Sequence, residues 1–300
     1  MSTMSEKMRV EWKANDAKRD EGLEAPPNVS GFKNINYGPD NRWQTLDVYR
    51  PSDFDGEYLP CIVIVHGGGW VYGDKELYSH YAMDLSKRGF AVLCFTYRLA
   101  PENKYPAQIE DCCLAINWLW NNADKFKINR SEIFLVGDSA GAHLTGLLCA
   151  INTNKSYADQ YDFNLPDGFK PVAIGMNCGA YSLFNSNYQS TIEINNELIG
   201  DLIPDDFDAL QTLNFKKQIN MIEYVNEQFP PAHIVTGYGD FLFDQAEILA
   251  NSYRQNGLLF EYKIYGSASE PLGHVFHLDM RNSTGIKCND DQCNFFKQLI

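Results

Sequence analysis

The sequence has no apolar run long enough to span a membrane, no internal repeat, no low-complexity tract and no long Gly/Ser/Pro linker. These absences argue against a membrane protein, a solenoid and a string of tethered domains. It is also short of positive charge, with 25 Lys and Arg against 39 Asp and Glu and a net charge of −14. Basic residues form no cluster beyond groups such as Lys216-Lys217, so nucleic acid and anionic membrane are poor partners. The first 24 residues are heavily charged and lack the apolar stretch of a signal peptide, from which a cytoplasmic location is expected. The eight cysteines are scattered, and several fall inside apolar runs, as expected of buried free thiols in a reducing compartment. Cys288 and Cys293 have no further Cys or His after them to complete a zinc set. Neither a metal nor a cofactor is expected.

What is present reads as one large core. At 300 residues and 44% hydrophobic content the chain fits a single domain, 1–300. Continuous apolar runs at 62–65, 91–95, 133–136, 172–176 and 234–235 predict strands buried on both faces, and 260–265 alternates as a further strand. Helical patterns fall between them near 76–88, 107–122, 140–151, 245–256 and 290–299, with a charged helix at 5–21. Strand–helix alternation predicts an α/β fold with a mainly parallel sheet covered by helices, and ligands then bind beyond the carboxyl ends of the strands. The polar, aromatic stretch 180–229 breaks the rhythm. It reads as a helical insertion over the strand ends, and with 1–30 as cap segments.

Residues Gly137-Asp138-Ser139-Ala140-Gly141 lie between an apolar run ending at Val136 and a helix-like run starting at Ala142. This is the strand–turn–helix context of a nucleophile elbow, with Ser139 at the apex. Side chains at 137 and 141 would collide where strand and helix pass close together. A serine nucleophile needs a base, a group to orient the base, and donors for an oxyanion. Among six histidines, His274 sits in a Gly-His loop after the last strand, where the order Ser, Asp, His demands it. His277 is its rival, and His143, one turn after Ser139, reads as structural. Asp240 stands at a strand end and is assigned to orient His274. Asp244 is instead explained as a helix cap with Glu247 three residues on. Glu270 and Asp279 lie too close to His274 in sequence. The loop His66-Gly67-Gly68-Gly69-Trp70 follows a strand, and its glycines let backbone N–H groups approach a developing negative charge, with Ala140 N–H completing the hole. His66 is expected to brace that loop. The loop lacks the Lys-Ser/Thr ending of a phosphate-binding P-loop.

HGGGW at 66–70, YRLAPENKYPA at 97–107, GDSAGAHL at 137–144, GDFLFD at 239–244 and GHVF at 273–276 resemble the hormone-sensitive-lipase-like α/β hydrolases, in order and spacing. The resemblance implies an α/β-hydrolase fold with a helical cap. It also implies a Ser139, Asp240, His274 triad and an oxyanion hole of Gly68, Gly69 and Ala140. Arg98 and Glu102 would be structural. The implied activity is hydrolysis of small carboxylic esters, such as acetyl, short-chain or aryl esters, without a cofactor. HGGxW together with SAGAHL is also similar to the kynurenine formamidases, which leaves hydrolysis of N-formylkynurenine as the alternative. A non-catalytic ligand-binding module is the third reading. A homo-oligomer is compatible with all three.

Overall fold

The computed structural model describes residues 1–56, 58–192 and 195–300. Eight strands form one sheet: β1 (Val29–Asn36), β2 (Thr45–Pro51), β3 (Leu59–Val65), β4 (Ala91–Phe95), β5 (Ile128–Asp138), β6 (Ala173–Asn177), β7 (Ala232–Gly237) and β8 (Phe260–Tyr265). Their spatial order is β1-β2-β4-β3-β5-β6-β7-β8. β1 pairs with β2 and β2 with β4 in antiparallel fashion, and the remaining pairs are parallel. The expected α/β fold with a mainly parallel sheet is found.

Alternation along each central strand sends side chains to two separate cores. Cys61, Val63, Val65, Leu93, Phe95, Ile133 and Leu135 point to one face. There they meet α3 (Ala107–Asn122), α4 (Ala140–Thr153) and α8 (Phe243–Gln255). Ile62, Ile64, Val92, Cys94, Phe134 and Val136 point to the other face, against α2 (Ser79–Ser86) and α9 (Ser283–Lys297). Burial on both faces is why these strands read as unbroken apolar runs. All eight cysteines are buried and unpaired, as their place in the apolar runs predicts. No helix among the described residues is long and apolar enough to cross a membrane.

Three expectations need correction. β1 and β2 carry no apolar-run signal and were not expected as strands: β1 is an edge strand exposed at most positions, so its composition is polar. α9 starts at Ser283, well before the expected 290, because the Asn282 side chain accepts the N–H groups of Thr284 and Gly285 and caps it there. Asp244 is not a cap. α8 already begins at Phe243 after Leu242, which places Asp244 in its first turn.

Within 180–229 lie α6 (Asn195–Leu202), α7 (Ala209–Ile219) and a 3-10 turn at Met221–Tyr224; positions 193 and 194 of that span lie outside the described residues. The N-terminal helix α1 (Thr3–Asp20) packs beside α6. Its start is fixed by Asp201, which accepts from the Ser2 N–H and the Ser5 hydroxyl. Further along, Arg9 reaches the body. It forms a two-pronged ion pair with Glu102 at 2.6 and 2.7 Å and donates to the carbonyls of Val71 and Ala100. Glu102 therefore does more than support the sheet, since it ties α1 to the loop between β4 and α3. Arg98 has the expected structural duty, paired with the buried Asp111 and with Glu110.

Candidate active site

β5 runs straight into α4 through Ser139, whose backbone is held at φ 52, ψ −120. A non-glycine residue in that region is strained, and the strain lifts the side chain to the turn's apex. The turn is permitted by close packing. A Cβ at Gly137 would strike the Gly141 carbonyl, and one at Gly141 would strike the Val65 carbonyl of β3. The collision expected at both glycines is found, with the partner at Gly141 coming from the neighbouring strand. Ser139 itself is only 6% exposed.

The structure brings the three expected side chains together. His274 Nε2 lies 3.0 Å from Ser139 Oγ, and its Nδ1 lies 2.8 Å from Asp240 Oδ1. Asp240 follows β7, and His274 stands in the loop between β8 and a 3-10 turn at Phe276–Leu278. Burial pushes the Asp240 carboxyl up. Hydrogen bonds from His274 and the Leu242 N–H, the neighbouring Cys178 thiol and the His274 charge outweigh it and hold the group below its ordinary range. Asp240 also has a local duty that its sequence context does not advertise. Its Oδ1 accepts the Leu242 N–H at 2.8 Å and its carbonyl accepts the Phe243 N–H, so the turn into α8 closes before Asp244. Cys178, Asp240 and His274 bring one sulfur, one oxygen and one nitrogen within 4.8 Å of one another.

Gly68 and Gly69 follow β3 with φ 107 and φ 60, a region that favours glycine. Their N–H groups have no acceptor among the described residues. Ala140 opens α4, so its N–H has no partner within the helix. Gly67 differs: its N–H donates to the Tyr78 hydroxyl, which donates in turn to Asp138 Oδ2, both at 2.8 Å. That relay fixes the start of the glycine loop against the residue before Ser139. Burial raises Asp138 to about 7, against the pull of the Tyr78 hydrogen bond. His66 braces the loop as expected, its ring stacked on Tyr97 at 3.9 Å.

The other histidines are not placed as bases. His143 accepts from Trp70 Nε1 at 3.2 Å and donates to the Ile219 carbonyl at 2.7 Å. His277 is fully buried edge-on to Tyr81, and neither of its ring nitrogens has a partner among the described residues. Burial lowers His66 and His143 to about 4 and His233 and His277 to about 3. Each then binds a proton more weakly folded than unfolded, so its stabilisation is complete above about pH 6.5 and is lost as pH falls toward 4. Asp138 has the opposite sign, with a folded value above that of a free carboxyl. The four buried histidines set the direction: stability should fall as pH drops from 6.5 toward 4.5. Urea unfolding across that range checks it, and a flat or rising profile toward low pH would contradict it.

Above Ser139 lies a cavity of about 290 Å³, with Trp12, Asn15, Asp16 and Arg19 of α1 along one wall and Tyr72, Leu77, Phe241 and His274 among the others. A second space of about 20 Å³ touches Ser139 and Ala140 and is lined by Met8, Trp70, Ile192 and Leu198. Trp12 and Phe241 border both. Asp16 accepts from the Tyr72 hydroxyl and from Arg19. Burial raises its carboxyl above the ordinary value, against those two partners. None of the α1 residues was singled out from the sequence. The available signal was Met4, Met8 and Trp12, a stripe at intervals of four on an otherwise charged helix. Phe241, 54% exposed and 4.4 Å from the His274 ring, gave no periodic signal.

The BD-FAE family model matches residues 46–252. The chain is 33% identical over 162 residues to esterase LipC of Mycobacterium tuberculosis, a match covering 54% of this chain and 39% of that protein. It is 37% identical over 121 residues to the isoprenylcysteine alpha-carbonyl methylesterase ICME of Arabidopsis thaliana, covering 40% of this chain and 27% of that one. It thus spans well under half the length of either relative. A crystal structure of inhibited esterase B from Lactobacillus rhamnosis superposes with a TM-score of 0.88 at 23% identity, over 99% of this chain and 97% of the other. That likeness establishes the α/β-hydrolase fold.

Proposed function

The chain belongs to the BD-FAE family, and on that premise we propose that it hydrolyses small carboxylic esters through an acyl-enzyme on Ser139. The observation that carries this reading is the unbroken chain from Ser139 Oγ to His274 to Asp240, at 3.0 and 2.8 Å. His274 takes the proton of Ser139 as its oxygen attacks the ester carbonyl. Gly68, Gly69 and Ala140 N–H groups receive the oxyanion, and Asp240 holds the imidazole and balances the imidazolium. His274 then protonates the leaving alcohol, and water attacks the acyl-enzyme by the same route reversed. The esterase names of the relatives support this reaction class.

Size supports a small acyl group. The space of about 20 Å³ directly beside Ala140 is narrow, which suits a short acyl group, while the cavity of about 290 Å³ takes the larger fragment. Residues 1–30 and 180–229 act as the cap in this reading, with α1 lining both spaces and Leu198 of α6 lining the smaller one. The test is a series of p-nitrophenyl esters alongside N-formylkynurenine. The acetate should give the highest kcat/KM, falling at least tenfold by the octanoate. A maximum at octanoate would overturn the small-acyl reading, and preferential turnover of N-formylkynurenine would replace the ester reading by the formamidase one.

A further inference from the structure

We propose that Cys178 is a positioning residue: its thiol donates to Asp240 Oδ2 and holds the carboxylate in the orientation that keeps Oδ1 on His274. This rests on the triad reading above. Oδ1 accepts both the His274 Nδ1–H and the Leu242 N–H, each at 2.8 Å. Oδ2 has no hydrogen-bond partner among the described residues, although the Asp240 side chain is 0% exposed. A buried carboxylate oxygen without a donor is costly, and a carboxylate bonded through one oxygen alone is free to pivot about it.

Cys178 lies at the end of β6 with φ 48, and its own N–H donates to the Val235 carbonyl at 2.8 Å. That bond pins it to β7, the strand that leads to Asp240. Its Sγ lies with an Asp240 oxygen and a His274 nitrogen inside one 4.8 Å group. Burial, with the Asp240 charge added, pushes the thiol well above its ordinary range, so it keeps its proton and remains a donor. Cys178 borders neither space at Ser139, so its contribution falls on the chemical step and leaves substrate binding alone.

The experiment compares Cys178→Ala, Cys178→Ser and Asp240→Asn with the wild type, using p-nitrophenyl acetate, with urea unfolding to verify that each is folded. Cys178→Ala should lower kcat about tenfold with KM unchanged, the scale of one hydrogen bond to a charged group. Cys178→Ser, which keeps a donor, should stay within about twofold of wild type on the same grounds. The downfield proton resonance of the His274 Nδ1–H should move or broaden in Cys178→Ala and hold its place in Cys178→Ser. A merely packing role would leave it in place in both. Wild-type kcat and an unmoved resonance in Cys178→Ala overturn the proposal, as does a Cys178→Ser variant that loses the full tenfold. Full turnover in Asp240→Asn would remove the triad reading itself. Its collapse beside an active Cys178→Ala removes only the role of the thiol.

Discussion

Ser139→Ala should reduce kcat toward p-nitrophenyl acetate by about a millionfold while the protein remains folded, the scale seen when a serine nucleophile is deleted from a complete triad. The loss is so large because the acyl-enzyme cannot form and His274 is left with no hydroxyl to activate. What survives is the modest catalysis of a preformed oxyanion hole and a bound substrate. Stability should change by about 1 kcal/mol or less, since alanine removes one hydroxyl at a mostly enclosed position and inherits the same backbone. The strain at φ 52 comes from a Cβ in a region that favours glycine, and serine and alanine share that Cβ, so removing the hydroxyl leaves it unchanged.

Asp240→Asn should lower kcat by about 10⁴-fold, the scale of a triad acid replaced by its amide. The carboxylate accepts the His274 Nδ1 proton and so leaves Nε2 free to take the proton of Ser139. An amide can present its NH₂ to Nδ1. The ring proton then sits on Nε2, facing the hydroxyl it should accept from. The substitution also removes the negative charge that balances the imidazolium. Asp244→Asn is the matched control: Asp244 lies four residues on, in the first turn of α8, and its loss should leave kcat within about twofold. Steady-state rates for the pair separate the two aspartates directly. Equal losses in both would contradict the assignment.

These two aspartates also show how far the sequence carries. Position relative to the strand end separates Asp240 from Asp244, yet Asp244 does not cap α8. A capping box is a local pattern, and the turn was closed instead by Asp240, whose Oδ1 serves Leu242 as well as His274. The strands at 62–65 and 91–95 were legible because burial on both faces leaves no polar position in them. β1 was not legible because an edge strand has no such constraint. The elbow, the glycine loop and the late histidine were legible because each chemical role tolerates few residue types and occurs in a fixed chain order. The wall of the site was the part that stayed hidden. Trp12, Asn15, Asp16 and Arg19 reach it because contacts such as Arg9 with Glu102 and Ser5 with Asp201 dock the helix, across about 90 and about 200 residues of chain. No periodicity in one segment encodes where another segment will stand.

The central claim is that Ser139 carries the acyl group, and covalent trapping tests it most directly. Wild-type protein is treated with a p-nitrophenyl alkylphosphonate, and the adduct is located by peptide mass spectrometry. The account predicts one adduct per chain on the peptide containing Ser139, loss of esterase activity in step with labelling, and no adduct in Ser139→Ala. Stoichiometric labelling at another residue, or undiminished turnover after Ser139 is fully labelled, would contradict it.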